Sequence, residues 1–149
     1  LQFSDLLRYN LYEADVDKID ISKEIGYIEN YVAIQKARSD SKLKVDLKIN
    51  IGNSEVKIAP LLFLPFIENA FKYVSRDENN DSIIRISLSY DRDIIAFECE
   101  NSYEDVANKN KGIGLENVKR RLDLLYKDAH ELFTWNRGNV WYVKLKLIT

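Results

Sequence analysis

From Leu43 to Ile51 every second residue is apolar: Leu43, Val45, Leu47, Ile49 and Ile51 alternate with Lys44, Asp46, Lys48 and Asn50. A period of two sends the sets to opposite faces of a strand, so this run predicts a half-buried strand whose apolar face needs a cover. Just upstream the period is helical. Ile21, Ile25, Ile28 and Val32 form a stripe widened by Tyr27, Tyr31 and Ile34, which predicts a helix to about Arg38, stopped by Ser39-Asp40-Ser41. A chain that switches period in this way must pack helices against a sheet.

The same signals continue along the chain. Residues 1–14 are expected to form a helix with Phe3, Leu7, Leu11 and Ala14 on one side, and 15–20 a polar connector. Pro60 is expected to open a helix near its first position, where a missing N–H costs nothing. That helix carries Leu61, Leu62, Leu64, Phe66, Ile67, Ala70 and Phe71. A loop at 76–82 precedes two alternating strands, one through Ile84, Ile86, Leu88 and Tyr90, the other through Ile95, Phe97 and Cys99, with a turn at 91–93. After the polar stretch 101–111, Gly112-Ile113-Gly114 leads into a helix with Leu115, Val118, Leu122 and Leu125 at helical spacing. Strands at about 131–135 and 140–147, joined by Asn136-Arg137-Gly138-Asn139, read as a hairpin. The fold class is α+β: a two-layer sandwich, its mostly antiparallel mixed sheet covered by helices on one face, preceded by a helical stalk segment.

Bulk properties exclude several functions. A net charge of −2 provides no field for wrapping nucleic acid, and Lys119-Arg120-Arg121 is too short to grip an anionic membrane. The longest apolar stretch, 58–67, is broken by Pro60 and Pro65 and is too short to span a bilayer. Cys99 is the only cysteine, so no internal disulfide forms, and its place beside Phe97 suits a packed thiol. His130 is the only histidine, which rules out a multi-histidine metal site. The chain has no Met and begins inside an amphipathic pattern, so a piece of a longer protein is expected.

Three features carry chemistry. On the helix after Pro60, Glu68, Asn69 and Lys72 crowd one turn, Asn69 and Lys72 three apart and so neighbours. Such a cluster fits a satisfied network or a helix end reaching water. On residue types alone that is the first reading; the set also suits Mg²⁺ and phosphate, the amide oxygen taking the hard cation and the ammonium the phosphate charge. Gly112-Ile113-Gly114 stands before a helix N-terminus, where backbone N–H groups and the dipole suit a phosphate, though glycine pairs also make ordinary turns. Counting by twos from Ile95 puts Asn101 on the inward face at the end of its strand, as a cap or as a reader of a ligand such as adenine.

Together these motifs resemble the GHKL (Bergerat) ATP-binding fold shared by histidine kinases and DNA gyrase, and most closely the LytS-like sensor histidine kinases. Leu6-Leu7-Arg8-Tyr9 is similar to the end of that family's phosphoacceptor helix, and Glu24-Ile25 through Tyr31 to Arg38 to its linker helix. Leu64-Pro65-Phe66-Ile67-Glu68-Asn69-Ala70-Phe71-Lys72-Tyr73 resembles the N box. Gly112-Ile113-Gly114-Leu115-Glu116-Asn117-Val118, with Arg121-Leu122 and Tyr126, resembles the G2 box and its helix. The resemblance divides the chain into residues 1–40, the end of the phosphoacceptor and linker helices, and 41–149, the ATP-binding catalytic domain.

The resemblance also implies roles. Asn69 is expected to hold Mg²⁺ and Lys72 to lie near the phosphates of ATP, with Tyr73 beside them. Gly112, Ile113, Gly114 and Leu115 would wrap the phosphates below a short lid at 102–111. The family's adenine-reading Asp falls on Asn101, an uncharged and weaker partner, and its following glycine is Tyr103. A shift of one would make Glu100 the reader, against strand parity. The catalytic glutamate of the ATPase branch falls on Pro65, which suits a kinase rather than a hydrolase. The intact protein is then expected to be a homodimer in the bacterial inner membrane with this domain in the cytoplasm. It would phosphorylate a histidine upstream of Leu1, in its own or the partner subunit, and pass the phosphate to a response regulator of the LytTR type. The other functions open to the sequence are a degenerate GHKL scaffold and a GHKL ATPase or serine kinase.

Overall fold

The computed structural model describes residues 18–52, 55–75, 81–104 and 113–149. The expected helix over 1–14 and the lid residues 105–111 lie outside the described residues. In chain order the elements are β1 (Ile19–Asp20), α1 (Ile21–Arg38), β2 (Leu43–Asn50), β3 (Lys57–Ile58), α2 (Leu64–Tyr73), β4 (Ser82–Asp91), β5 (Ile94–Ser102), α3 (Ile113–Leu125), β6 (His130–Arg137) and β7 (Val140–Ile148).

Five strands form one sheet in the order β2-β4-β5-β7-β6. Only β2 and β4 run parallel, in register Leu43↔Ser82 to Asn50↔Ser89, because a helix crosses between them; the other neighbours are antiparallel. Alternation does the sorting. Ile84, Ile86, Leu88, Ile95, Phe97, Cys99, Val143, Leu145 and Leu147 are buried, and their odd-and-even counterparts face the other way. On that opposite face Arg85 pairs with Glu100 at 3.3 Å and Lys144 with Glu98 at 3.6 Å. The expected two-layer arrangement with a mixed, mostly antiparallel sheet is therefore the one observed.

The hairpin turns are as tight as the strands allow. Arg92 and Asp93, at φ +50 and +66, close β4 onto β5, both central residues left-handed as a two-residue turn of matching twist requires. The last turn is shorter than the four residues expected: β6 continues to Arg137, and Gly138-Asn139 alone make the corner, with Gly138 at φ +60.

Three further expectations need correction. The connector over 15–20 ends in β1, because Ile19 is buried and pairs antiparallel with Ile58, Asp20 with Lys57. Pro60 does not open a helix. Leu61 takes φ +60, which no helix can contain, so α2 starts at Leu64 and Pro65 occupies its first turn. At the end of α3, Leu125 is 52% exposed and Tyr126 fills the core position instead, completing the stripe of Leu115, Val118 and Leu122.

Aromatic rings lock the layers together. Phe97 of β5 stacks on Phe63 at 4.9 Å between centroids and meets Phe66 of α2 at 5.9 Å. Tyr31 of α1 meets the edge of Phe71 on α2 at 6.0 Å, a favoured T-shaped geometry.

Candidate functional site

Asn69, Lys72 and Tyr73 occupy the last turns of α2, whose Leu64, Phe66, Ile67 and Ala70 are buried against the sheet. The burial pattern leaves Asn69 half-buried and Lys72 exposed at the rim. The Lys72 ammonium stands 5.3 Å from the centre of the Tyr73 ring, within cation–π distance. Glu68 is half-buried on the same turn, and Pro65, where a water-activating carboxylate would stand, carries no ionisable group.

Asn101 is 2% exposed, on the inward face of β5 between Ile84 of β4 and Trp141 of β7. Its Nδ2 donates to the Ser102 carbonyl at 3.2 Å. Glu100 faces the other side, held by Arg85, so parity assigned the inward residue correctly. Two serines that the sequence reading missed bring this strand end to the end of α2. Ser75 N–H donates to Ser102 O at 3.0 Å, Ser102 Oγ donates to Ser75 O at 2.7 Å, and the same hydroxyl accepts from Ile83 N–H at 2.9 Å. Ser75 Oγ in turn accepts from the Glu104 N–H. Nothing in the sequence marks either serine, because the knot joins positions far apart in the chain.

Tyr103, where the resemblance expects glycine, is 4% exposed. Its N–H donates to Asn139 O at 2.9 Å and its hydroxyl accepts from Asn136 Nδ2 at 2.9 Å. The ring therefore belongs to the β6–β7 corner. Gly112 lies outside the described residues, as does the side chain of Ile113. The backbone of Ile113 and Gly114 opens α3, whose first N–H groups have no intrahelical acceptor. Leu115 is buried in the core, so only its backbone is available to a ligand.

A second polar group, also missed, lies beneath the start of α2. Glu24 of α1 is fully buried and accepts from Leu61 N–H at 2.9 Å through Oε1. Burial pushes its carboxyl up from 4.5 to about 7, against the opposing effects of that hydrogen bond and of the Arg121 guanidinium. A glutamate three residues after Ile21 and four before Ile28, on the apolar stripe, was the available signal. His130 is held by Tyr126 O at 2.7 Å from Nδ1 and has Asp123 at 3.5 Å from Nε2. That anchoring makes it a poor phosphoacceptor. No cluster of His, Cys, Asp and Glu able to hold a metal exists among the described residues. Among them, too, no helix is long and apolar enough to cross a membrane.

The family model described as Histidine kinase matches residues 1–43. The chain is 32% identical over 100 residues to Sensor protein kinase HptS of Staphylococcus aureus (strain USA300), covering 67% of this chain and 19% of that protein. It thus spans about one fifth of the length of the curated relatives it matches. Among solved structures, Acinetobacter baumannii histidine kinase AdeS superposes with a TM-score of 0.62 at 16% identity, covering 97% of this chain and 75% of that one. Histidine kinase ThkA in complex with response regulator protein TrrA superposes with a TM-score of 0.55 at 12% identity, covering 97% of this chain and 46% of that one. In sequence the chain is similar to a sensor protein kinase, and its fold is that of histidine kinase catalytic domains.

Proposed function

We propose that this chain is the ATP-binding catalytic part of a two-component sensor histidine kinase of the LytS-like type. The observation that carries the reading is the meeting of three polar groups at the C-terminal end of the central strand β5. The Asn69–Lys72 end of α2 is tied through Ser75 and Ser102 to the strand end where Asn101 is buried. Asn101 offers a carboxamide to the adenine amino group from an apolar surround, where one hydrogen bond discriminates strongly. Lys72, free to swing at the rim, meets the phosphates. The N–H groups of the first turn of α3, which have no acceptor within the helix, suit the phosphate chain, with Gly112 just before them in sequence.

Mg²⁺ fits this donor set: the Asn69 amide oxygen is a hard ligand, and a cation that keeps several waters and takes the rest of its shell from phosphates needs few protein groups. When bound it would neutralise charge on the phosphates. The chain's own contribution is positioning and electrostatics, because phosphoryl transfer asks for little covalent chemistry from the protein. The bond from the γ-phosphorus to its bridging oxygen breaks, ADP leaves, and a P–N bond forms on an imidazole. His130 is too firmly bonded to serve as that imidazole, so the acceptor is a histidine on a separate helix, in the same or the partner subunit.

Residues 1–40 are the end of the phosphoacceptor and linker helices and 41–149 the catalytic domain. The intact protein is then a homodimer of the bacterial inner membrane that hands its phosphate to a response regulator of the LytTR type. What supports this is the Leu6-Leu7-Arg8-Tyr9 and linker-helix pattern beside the sensor-kinase similarity.

Calorimetric titration of the chain with a non-hydrolysable ATP analogue tests the reading. Saturable binding is expected, weakened about tenfold or more by omitting Mg²⁺ or by Asn69→Ala, because the first removes the cation that screens the phosphates and the second removes the amide oxygen that would hold it. A folded sample that binds nothing would instead favour a scaffold that has lost its nucleotide, for which buried Tyr103 in place of glycine is the specific motive.

A further inference from the structure

Ahead of α2, three side chains converge on residues 59–61. Glu24 of α1 holds the Leu61 N–H at 2.9 Å. Arg121 of α3 donates to Pro60 O at 2.7 Å and to Leu61 O at 3.2 Å. Just past α3, the Tyr126 hydroxyl accepts from Ala59 N–H at 3.0 Å, with the Lys18 ammonium 6.0 Å over its ring. Leu61 sits at φ +60, a conformation that a non-glycine residue keeps only when its surroundings enforce it. Here they do so from both sides, its N–H gripped from α1 and its C=O from α3.

A carboxylate is a costly way to hold one backbone N–H. Glu24 is fully buried, and its Oε2 has no hydrogen-bond partner among the described residues. Apolar packing at this position would need only another isoleucine, as at Ile21, Ile25 and Ile28 on the same stripe. What an isoleucine could not do is fix the height of α1 against the Leu61 peptide. Apolar contacts slide; a 2.9 Å hydrogen bond in a dry interior does not.

We propose that Glu24 is a positioning residue: its bond to the Leu61 N–H, opposed by Arg121 on the Leu61 carbonyl, makes α1 set the placement of α2 and α3. The consequence for function rests on the nucleotide-site reading above. Displacement of α1 moves the left-handed turn at Leu61, and with it the helix that bears Asn69 and Lys72. The same clamp holds α3, whose N-terminus faces the phosphates. One buried carboxyl thus joins the linker helix to both halves of the site.

The test compares Glu24→Leu and Glu24→Gln in the whole 149-residue chain, by amide hydrogen exchange and by titration with a fluorescent ATP analogue plus Mg²⁺. Leucine fills the volume and cannot accept a hydrogen bond; glutamine keeps the acceptor. In the leucine variant, exchange over residues 61–73 and 113–125 is expected to rise about tenfold while β5 and β7 stay protected. Its affinity for the probe should fall about fivefold, and glutamine should restore both to within about twofold of wild type. Unchanged exchange in α2 and α3, or an equal rise across the whole sheet, overturns the proposal, since a merely structural carboxyl gives one or the other. So does unchanged probe affinity in the leucine variant beside saturable wild-type binding. If the wild type does not bind the probe, the nucleotide reading fails on its own, and the exchange pattern still decides whether Glu24 positions α2 and α3.

Discussion

Single residues carry opposite burdens in this molecule. Asn101 and Ser102 are buried polar groups with hydrogen bonds made, and such groups cost little. Glu24 is buried with one oxygen unbonded among the described residues, and burial lifts its carboxyl from 4.5 to about 7. Protonated, the group loses little on folding; ionised, it bears the desolvation. Its contribution to stability is therefore full below pH 4.5 and is lost as the pH rises through about 7. The total is about 3 to 4 kcal/mol at most, because a tenfold difference in proton affinity between the folded and unfolded chain corresponds to about 1.4 kcal/mol. Denaturant unfolding of wild type and Glu24→Gln between about pH 5 and pH 8 checks this, because the glutamine has no proton to lose. Glu24→Gln should gain on wild type steadily as the pH rises. A constant gap across the range would show that the carboxyl is not buried as described.

At the scale of elements, α2 is the piece on which the site depends, and aromatic packing holds it. Phe97 is fully buried and touches both Phe63, just before α2, and Phe66 within it. Phe97→Ala removes both ring contacts and leaves a cavity between helix and sheet, at a cost of about 3–5 kcal/mol in equilibrium unfolding. Phe97→Leu, which fills most of the volume, should recover more than half of that. Similar costs for the two would mean that the rings do not fix α2 on β5. The start of α2 was misread from sequence for a related reason. Pro60 is a good first helical residue by itself, yet Glu24 and Arg121, distant in the chain, hold Leu61 in a left-handed turn that helix geometry forbids.

At the scale of the whole molecule the sheet is continuous from β2 to β6, and its covered face sits under the helices. Cys99 lies in the middle strand of that sheet, 3% exposed, its thiol pushed up to about 12 by burial and by the neighbouring Glu100 charge. Only the thiolate reacts, so native Cys99 should be inert to a thiol reagent, and labelling should follow global unfolding. The labelling rate under native conditions, compared with that in denaturant, checks this. Rapid native labelling would mean that β5 opens locally and that the strand end bearing Asn101 is not rigid.

Much of this was legible from periodicity. The alternation of β2, β4, β5 and β7, the stripe of α1 and the inward face of Asn101 each follow from counting residues, because the pleat and the helix repeat at fixed intervals. Cys99 and Phe97 were correctly placed in the core for the same reason. The amino-acid sequence therefore determined the types of the longer described elements, the facing of their side chains and the resemblance that points to ATP. Contacts between distant positions were decided by tertiary structure alone. The Ser75–Ser102 knot, the Ile19–Ile58 ribbon and the grip of Glu24 and Arg121 on Leu61 join residues from 27 to 60 positions apart. No local propensity encodes such a pairing. It exists because the helices must cover the sheet to bury its apolar face, and that covering brings together polar groups that periodicity places but cannot pair.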